Sequence, residues 1–537
     1  MCKMRKFFLG MKAPINGIYL SSETIDLLSI IQCENVEELT KFVKDCAQLS
    51  ASDIDFEKWD MSRLDEIKRD VVEKYKDSFV PMEESSKDRM GVVKAVLEHT
   101  GLSKEEVEAG ALSFQSGGID GFKQELLQIH PDDYKVLSEK EHRFISSERD
   151  QIKSVTYEEL CAINNTLSDY NTVLVGSGRY YDVTKKMYDA QVPGMDKYDF
   201  YHVCRDLDFC YKNGMNARYH TLLDKQTLED HFKGKSKEYI LGELKDYVKQ
   251  SVDFISKYNE EHKVNGKGVI SSVDLFNEIV SFDEPYKNMW QELHGISTEE
   301  IAETYQYALE NKPDGVTYVY NEPFLENPQR RAAVINQLGQ ISEASLGLID
   351  TIGTQMHIEM TQDKEAVKKC FEDLKRLRGF GIGTQITEFD MCMPERFLFD
   401  ENGKERSEVE IVGVVNSKLG TDFKDVSDIK ELKMREITSA IEETGIQLDG
   451  ITYWSISDTL DHNLERTNKK TYEQGLPRDI IHTRYAGAYS DFDKAPLIST
   501  RRLGKETLEE QNDTFLLDEI KHNQVVQERN NEIQKEH

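Results

Sequence analysis

The sequence predicts an α/β protein of the (β/α)8 barrel class, preceded by an N-terminal helical module. Three observations lead there. From about residue 142, short β-prone apolar runs alternate with longer amphipathic stretches, the order that builds parallel strands joined by crossover helices. Seven such runs can be read directly, one fewer than a closed barrel needs. The conspicuous polar residues stand at the ends of those runs, where barrels of this class place their active sites. The competing class, an open doubly wound sheet, would bring a glycine-rich phosphate loop, and no GxGxxG or P-loop occurs at any strand–helix turn.

Taken in order, residues 1–140 read as a helical accessory module. Segments 24–31, 36–49, 61–75 and 90–99 are charged, with apolar residues at helical spacing, and Ser103-Lys-Glu-Glu106 has the form of a capping box. The module contains no chemical constellation, and its role stays open. Residues 141–500 carry the barrel pattern. Strands are expected at 172–175, 217–223, 269–276, 316–320, 348–352, 382–386 and 451–454, with 142–146 as the weaker candidate for an eighth. Helices are expected at 245–259, 298–311, 330–343, 363–378 and 428–444. Residues 501–537 read as a charged helical tail.

Composition narrows the function. A chain of 537 residues with a net charge of -31 lacks the cationic patches that nucleic acid or an anionic membrane surface requires. Eight scattered cysteines, with no CxxC pair and no metal-type cluster, fit a reducing compartment. The apolar run at residues 7–11 is too brief for a secretory signal, and no run reaches the ~18 apolar residues of a membrane span. The expectation is a cytoplasmic protein without cofactor or metal; the oligomeric state stays open.

The organising stretch is residues 268–282, an apolar run ending in Asn277 and Glu278. A carboxyl group where a buried strand opens into a loop is partly desolvated, which favours its protonated form. Taken alone, an Asn-Glu pair at a strand end reads equally well as a solvated surface feature. A second glutamate, Glu388, ends another strand, and His220, Gln355, His357 and Trp454 end others. Singly these read as core histidines, a loop cap and a core aromatic. Together, two carboxyls on different strands with a tryptophan platform and amide and imidazole donors fit glycoside hydrolysis. The same carboxylates could bind a divalent metal, but no Asp/His set at ligand spacing accompanies them.

These residues resemble glycoside hydrolase family 10, the endo-β-1,4-xylanases and their relatives. That family's acid/base strand usually reads Trp-Asp-Val-Val-Asn-Glu, and here stands Val273-Asp-Leu-Phe-Asn-Glu278. Its nucleophile strand, Ile-Thr-Glu-Leu-Asp, is matched by Ile386-Thr-Glu-Phe-Asp390. Gln355-Met-His357, Trp454-Ser-Ile-Ser-Asp458, Arg218-Tyr-His-Thr-Leu222 and Tyr320-Asn-Glu322 match four further motifs in order.

The resemblance implies a retaining glycoside hydrolase acting on β-1,4-xylosidic bonds in xylan or xylo-oligosaccharides. Glu388 would be the nucleophile, with His357 hydrogen-bonded to it, and Glu278 the acid/base. Asn277 would bind the sugar 2-hydroxyl, and His220, Gln355 and Trp454 would line the subsite of the cleaved sugar. Lys186 stands near the family's sugar-holding lysine. Departures bear on the substrate: Asp224-Lys225 replaces the family's Trp-His, and a second tryptophan is missing, with His462 near its place. Two other readings compete. One is a non-catalytic carbohydrate-binding or interaction protein on a degenerate barrel, and the other a hydrolase of a different β-glycan.

Overall fold

The computed structural model describes residues 15–47, 64–75, 157–167, 170–176, 200–392, 406–424 and 426–454, with a few single positions between them. Eight parallel strands close a barrel: β1 (Ile15–Leu20), β2 (Thr172–Val175), β3 (Asn216–Tyr219), β4 (Ile270–Asn277), β5 (Thr317–Glu322), β6 (Thr351–Thr354), β7 (Gly383–Cys392) and β8 (Gly450–Tyr453). Each pairs with the next, and β8 returns to β1 with Gly450 opposite Ile15 and Tyr453 opposite Ile18. The strands are short and buried; β2, β6 and β8 have no exposed residue. Such runs form where both faces of a parallel sheet are covered.

The strand that closes the barrel is not the one the sequence offered. Residues 142–146 lie outside the described residues, and the place between β8 and β2 is filled by Ile15–Leu20. The division into a 1–140 module and a 141–500 barrel therefore needs correcting, because the barrel begins at β1 and the helical segment falls between β1 and β2. The reason is physical. β1 reads Ile-Asn-Gly-Ile-Tyr-Leu, its apolar pattern is interrupted by Asn16 and Gly17, and its partners start at positions 172 and 450. No local periodicity records so distant a pairing.

The chain forms two compact units, one of residues 1–20, 168–183 and 200–537, the other of residues 21–167 and 184–199. In the second lie α1 (Ser22–Gln32), α2 (Val36–Ala47), α3 (Leu64–Tyr75) and α4 (Tyr157–Thr166). Ser21 caps α1 by accepting from the Thr24 N–H. Ile25, Leu28, Ile67, Val71, Leu160 and Ile163 form the apolar core where α1 meets α3 and α4. The buried Lys68 ammonium donates to the Ile31 carbonyl at 2.8 Å, and Gln32 bonds Asn164 at 2.9 Å. The expected helix at 90–99, the capping box at Ser103 and the tail 501–537 fall outside the described residues.

In the barrel unit, α5 (Tyr201–Lys212) follows β2 and α6 (Lys237–Glu261) follows β3. The sequence had α6 starting at 245; a Ser236 cap accepting from the Tyr239 N–H sets the earlier start. After β4 comes α7 (Met289–His294), not expected from the sequence, and the expected single helix at 298–311 is two pieces, α8 (Thr298–Thr304) and α9 (Gln306–Glu310). Tyr305 leaves helical geometry between the last two, with φ -92° and ψ 5°. α10 (Pro328–Ala344) follows β5, with Asn327 as cap and Pro328 in its first turn. α11 (Lys364–Leu377) follows β6, capped by Asp363, and α12 (Glu408–Leu419) and α13 (Val426–Thr444) follow β7. Among the described residues no helix is long and apolar enough to cross a membrane.

Candidate active site

The C-terminal ends of the strands carry the polar residues. On β3 and β4, Arg218 and Asp274 form a buried forked ion pair, Nε–Oδ1 3.0 Å and Nη2–Oδ1 2.5 Å. The other carboxylate oxygen of Asp274 meets His220 Nδ1 at 2.7 Å. Burial raises Asp274's pKa, but Arg218 and His220 outweigh it and hold the carboxyl below its ordinary value. One carboxylate thus fixes both the position and the ring orientation of His220.

β4 shifts register between Asp274, opposite Val319, and Phe276, opposite Tyr320. That bulge changes the side-chain alternation, so Asp274 and Asn277, an odd number of residues apart, both enter the polar cluster. Glu278 follows with φ +56°, a left-handed conformation rare for a side chain of this size. β7 carries a similar irregularity between Ile386 and Phe389, and Glu388 sits within it.

The two glutamates are joined through three amides. Gln355 Nε2 donates to Glu278 Oε1 at 2.9 Å and to Asn277 Oδ1 at 3.3 Å. Asn321 Nδ2 donates to Asn277 Oδ1 at 2.8 Å and to Glu388 Oε1 at 2.6 Å, while its own oxygen accepts from the Thr387 hydroxyl at 2.6 Å. Gln355 and Asn321 are fully buried and Glu278 is half-buried.

Glu388 differs from Glu278 in its charge environment. Its Oε2 lies 3.2 Å from His357 Nε2, and the same ring's Nδ1 lies 2.7 Å from Asp390. Burial alone would lower the histidine's pKa, but the two carboxylates override it and raise it to about 10. His357 is therefore an imidazolium at neutral pH, donating from both nitrogens. Burial likewise pushes Glu388 up, yet the His357 hydrogen bond and the nearby imidazoles bring its carboxyl below the usual value. That shift favours the ionised form of Glu388.

Trp454 closes one side. Its ring stacks on Tyr19 at 4.3 Å between centroids and meets the edges of His220 and His357 at 5.8 and 5.9 Å. Of the residues singled out from sequence, Glu278, Glu388, His220, Asn277, Gln355, His357 and Trp454 come together at this rim. Lys186 and His462 lie outside the described residues. The sequence reading passed over Arg218, Asp274 and Asp390 as mere neighbours in their motifs, placed Asn321 at a strand end without giving it a role, and missed Tyr19. Their signal was position: Asp390 stands two residues beyond Glu388 on one strand, hence on the same face. Tyr19 had none, because its strand went unread.

The Asp224-Lys225 departure also has a structure. A short strand, Leu223–Asp224, pairs with β4 so that Asp224 lies opposite Asn277. Asp224 accepts from the Thr227 N–H at 2.6 Å and its hydroxyl at 2.7 Å, closing a turn. Lys225 Nζ lies 3.8 Å from the centre of the Phe282 ring. Among the described residues, no group of three or more His, Cys, Asp or Glu is arranged to hold a metal ion.

The model of glycosyl hydrolase family 10 matches residues 169–473, more than half of the chain. Among curated proteins, the chain is similar to endo-1,4-beta-xylanase A of Thermotoga neapolitana, 23% identical over 375 residues, which are 64% of this chain and 31% of that protein. It is also similar to a beta-1,4-xylanase of Dictyoglomus thermophilum, 25% identical over 49% of this chain and 66% of the relative. The chain thus spans from about a third to two thirds of the length of these two relatives. Among solved structures, an intracellular xylanase of Thermoanaerobacterium saccharolyticum in complex with xylotetraose aligns with TM-score 0.42 and 18% identity, covering 56% of this chain and 82% of that one. On the extent of the family match, with a closed eight-stranded barrel beneath it, this chain belongs to glycosyl hydrolase family 10.

Proposed function

We propose that the protein is a retaining glycoside hydrolase that cleaves β-1,4-xylosidic bonds, with Glu388 as nucleophile and Glu278 as acid/base. The observation that carries this reading is the asymmetry of the two linked glutamates. Glu388 is kept ionised by a histidine cation, whereas the carboxyl of Glu278 is held by a neutral amide. A double displacement needs that division of labour. The Glu388 carboxylate attacks the anomeric carbon as Glu278 delivers its proton to the departing glycosidic oxygen. The glycosyl ester formed on Glu388 is then opened by water, whose proton returns to Glu278, and the sugar leaves with its configuration retained.

The remaining rim residues take roles around this chemistry. Asn277 binds the sugar 2-hydroxyl through its amide, an interaction that strengthens in the transition state. Trp454 offers its face to the ring of the cleaved sugar, with His220, Gln355 and His357 around it. Lys186 is the proposed further contact. Asp224 and Lys225 stand in place of the family's Trp-His, and a short xylo-oligosaccharide or a related β-glycan suits so altered a rim.

The test is hydrolysis of an aryl β-xylobioside by the purified protein and by Glu388→Ala. Aryl release that falls by at least about 10³-fold in the variant supports the nucleophile. Anomeric retention, read by NMR of the first product, supports the double displacement. A folded protein silent on this and on other aryl β-glycosides would reject hydrolysis in favour of carbohydrate binding.

A further inference from the structure

We propose that Glu322 and Arg330 form a buried clamp that positions Glu278, so that proton delivery to the leaving group depends on an ion pair outside the substrate's reach. The inference rests on Glu278 being the acid/base.

The clamp is built around the three residues after Glu278. One oxygen of Glu322, Oε1, accepts from two successive backbone N–H groups, Ile279 at 2.8 Å and Val280 at 3.1 Å. Its other oxygen takes the Arg330 guanidinium at 2.6 Å. Arg330 then returns to the same turn, donating to the Val280 carbonyl at 3.1 Å and to the Ser281 carbonyl, and anchors itself on the Pro323 carbonyl at 2.9 Å. The backbone N–H of Glu278 donates to the Asn321 carbonyl, one residue before Glu322. Both members are fully buried, on β5 and in the first turn of α10.

A buried ion pair is by itself weak evidence of anything beyond folding. Three features give this one a direction. Apart from the Pro323 anchor and a contact between Glu322 and the Tyr320 hydroxyl, the side-chain bonds it makes outside the pair go to residues 279–281. Those residues follow a glutamate at φ +56°, a conformation that persists only where its surroundings over-determine it. Finally, a single Glu322 carboxylate spans the turn and the arginine, one oxygen on each. Burial raises Glu322's pKa against the pull of Arg330, and the Glu278 carboxyl raises it further, so the two carboxyls sense each other.

The experiment compares two aryl β-xylobiosides, one with a dinitrophenyl leaving group that departs without protonation and one with a plain phenyl group that needs it. Glu278→Ala is the control, and Glu322→Asp and Arg330→Lys are the test variants, each keeping its charge but not its reach or fork. Expected is a loss in kcat/KM, which reports the step that expels the leaving group, of about 10–10²-fold on the phenyl substrate and less than about threefold on the dinitrophenyl one. A general loss of folded protein lowers both equally and cannot create that split. Should one variant fail to fold, the other reads the clamp from its opposite side. Parallel losses in the test variants, or none, alongside a clear split in Glu278→Ala, would overturn the clamp while leaving the acid/base reading standing. No split in Glu278→Ala would overturn both.

Discussion

His357 is buried between two carboxylates, Asp390 at 2.7 Å and Glu388 at 3.2 Å, and its pKa stands at about 10 against an ordinary 6.5. A histidine whose pKa rises on folding contributes stability that is fully present below its unfolded value. That contribution is lost as the pH climbs through the folded value. Urea unfolding of the wild type should therefore show the midpoint falling between about pH 6.5 and pH 10. His357→Gln should flatten that limb and cost about 3–5 kcal/mol near neutrality, because it strands two buried carboxylates. An unchanged slope in the variant would mean that His357 is not the charged member of the trio. At this scale the sequence was most legible where residue type and strand end coincide, as at Glu278, Glu388 and Gln355. It placed Glu322 in the motif Tyr320-Asn-Glu322 but did not join it to Arg330, since a glutamate and an arginine eight positions apart look like surface charge.

At the scale of elements, the site depends on close approach of β5, β6 and β7. A Cβ on Gly353 in β6 would lie 2.6 Å from the Thr387 methyl and 2.7 Å from the Asn321 amide oxygen. Those two side chains are bonded to each other, and Asn321 in turn holds Glu388. Gly353→Ala should therefore cost about 1–3 kcal/mol in urea unfolding through overpacking. It should also lower kcat on the order of 10-fold to 10²-fold, because it displaces the amide that joins the glutamates. A variant destabilised yet fully active would show that Asn321 tolerates movement. The starts of α10 and α11, expected at 330 and 363, fall within two residues of the observed 328 and 364, whereas that of α6 was missed despite its Ser236 cap. The bulges in β4 and β7 were not legible, because the extra residue shows only against the partner strand.

For the whole molecule, the decisive feature is the closure of the barrel by residues near the start of the chain. β1 is bonded on one side to β8 and on the other to β2. It also carries Tyr19, the ring on which Trp454 stacks. A fragment of residues 141–500, the unit that local pattern alone would delimit, leaves both neighbouring strands with open edges. Expressed alone, it should lack the cooperative unfolding transition and the xylobiosidase activity expected of the full chain. Near-UV circular dichroism during thermal unfolding reads this directly, and a cooperative fragment would show that seven strands suffice.

The sequence by itself determined the barrel class, the order of seven of its strands and the identity of the residues that meet at its rim. Those properties are written locally, in apolar runs of strand length and in the polar residue that ends each run. The tertiary structure alone decided which segment closes the ring, which histidine faces Glu388 and what supports the turn after Glu278. Each of these depends on groups distant in the chain that share a buried, weakly screened space, where a charge is set by its neighbours rather than by its own residue type.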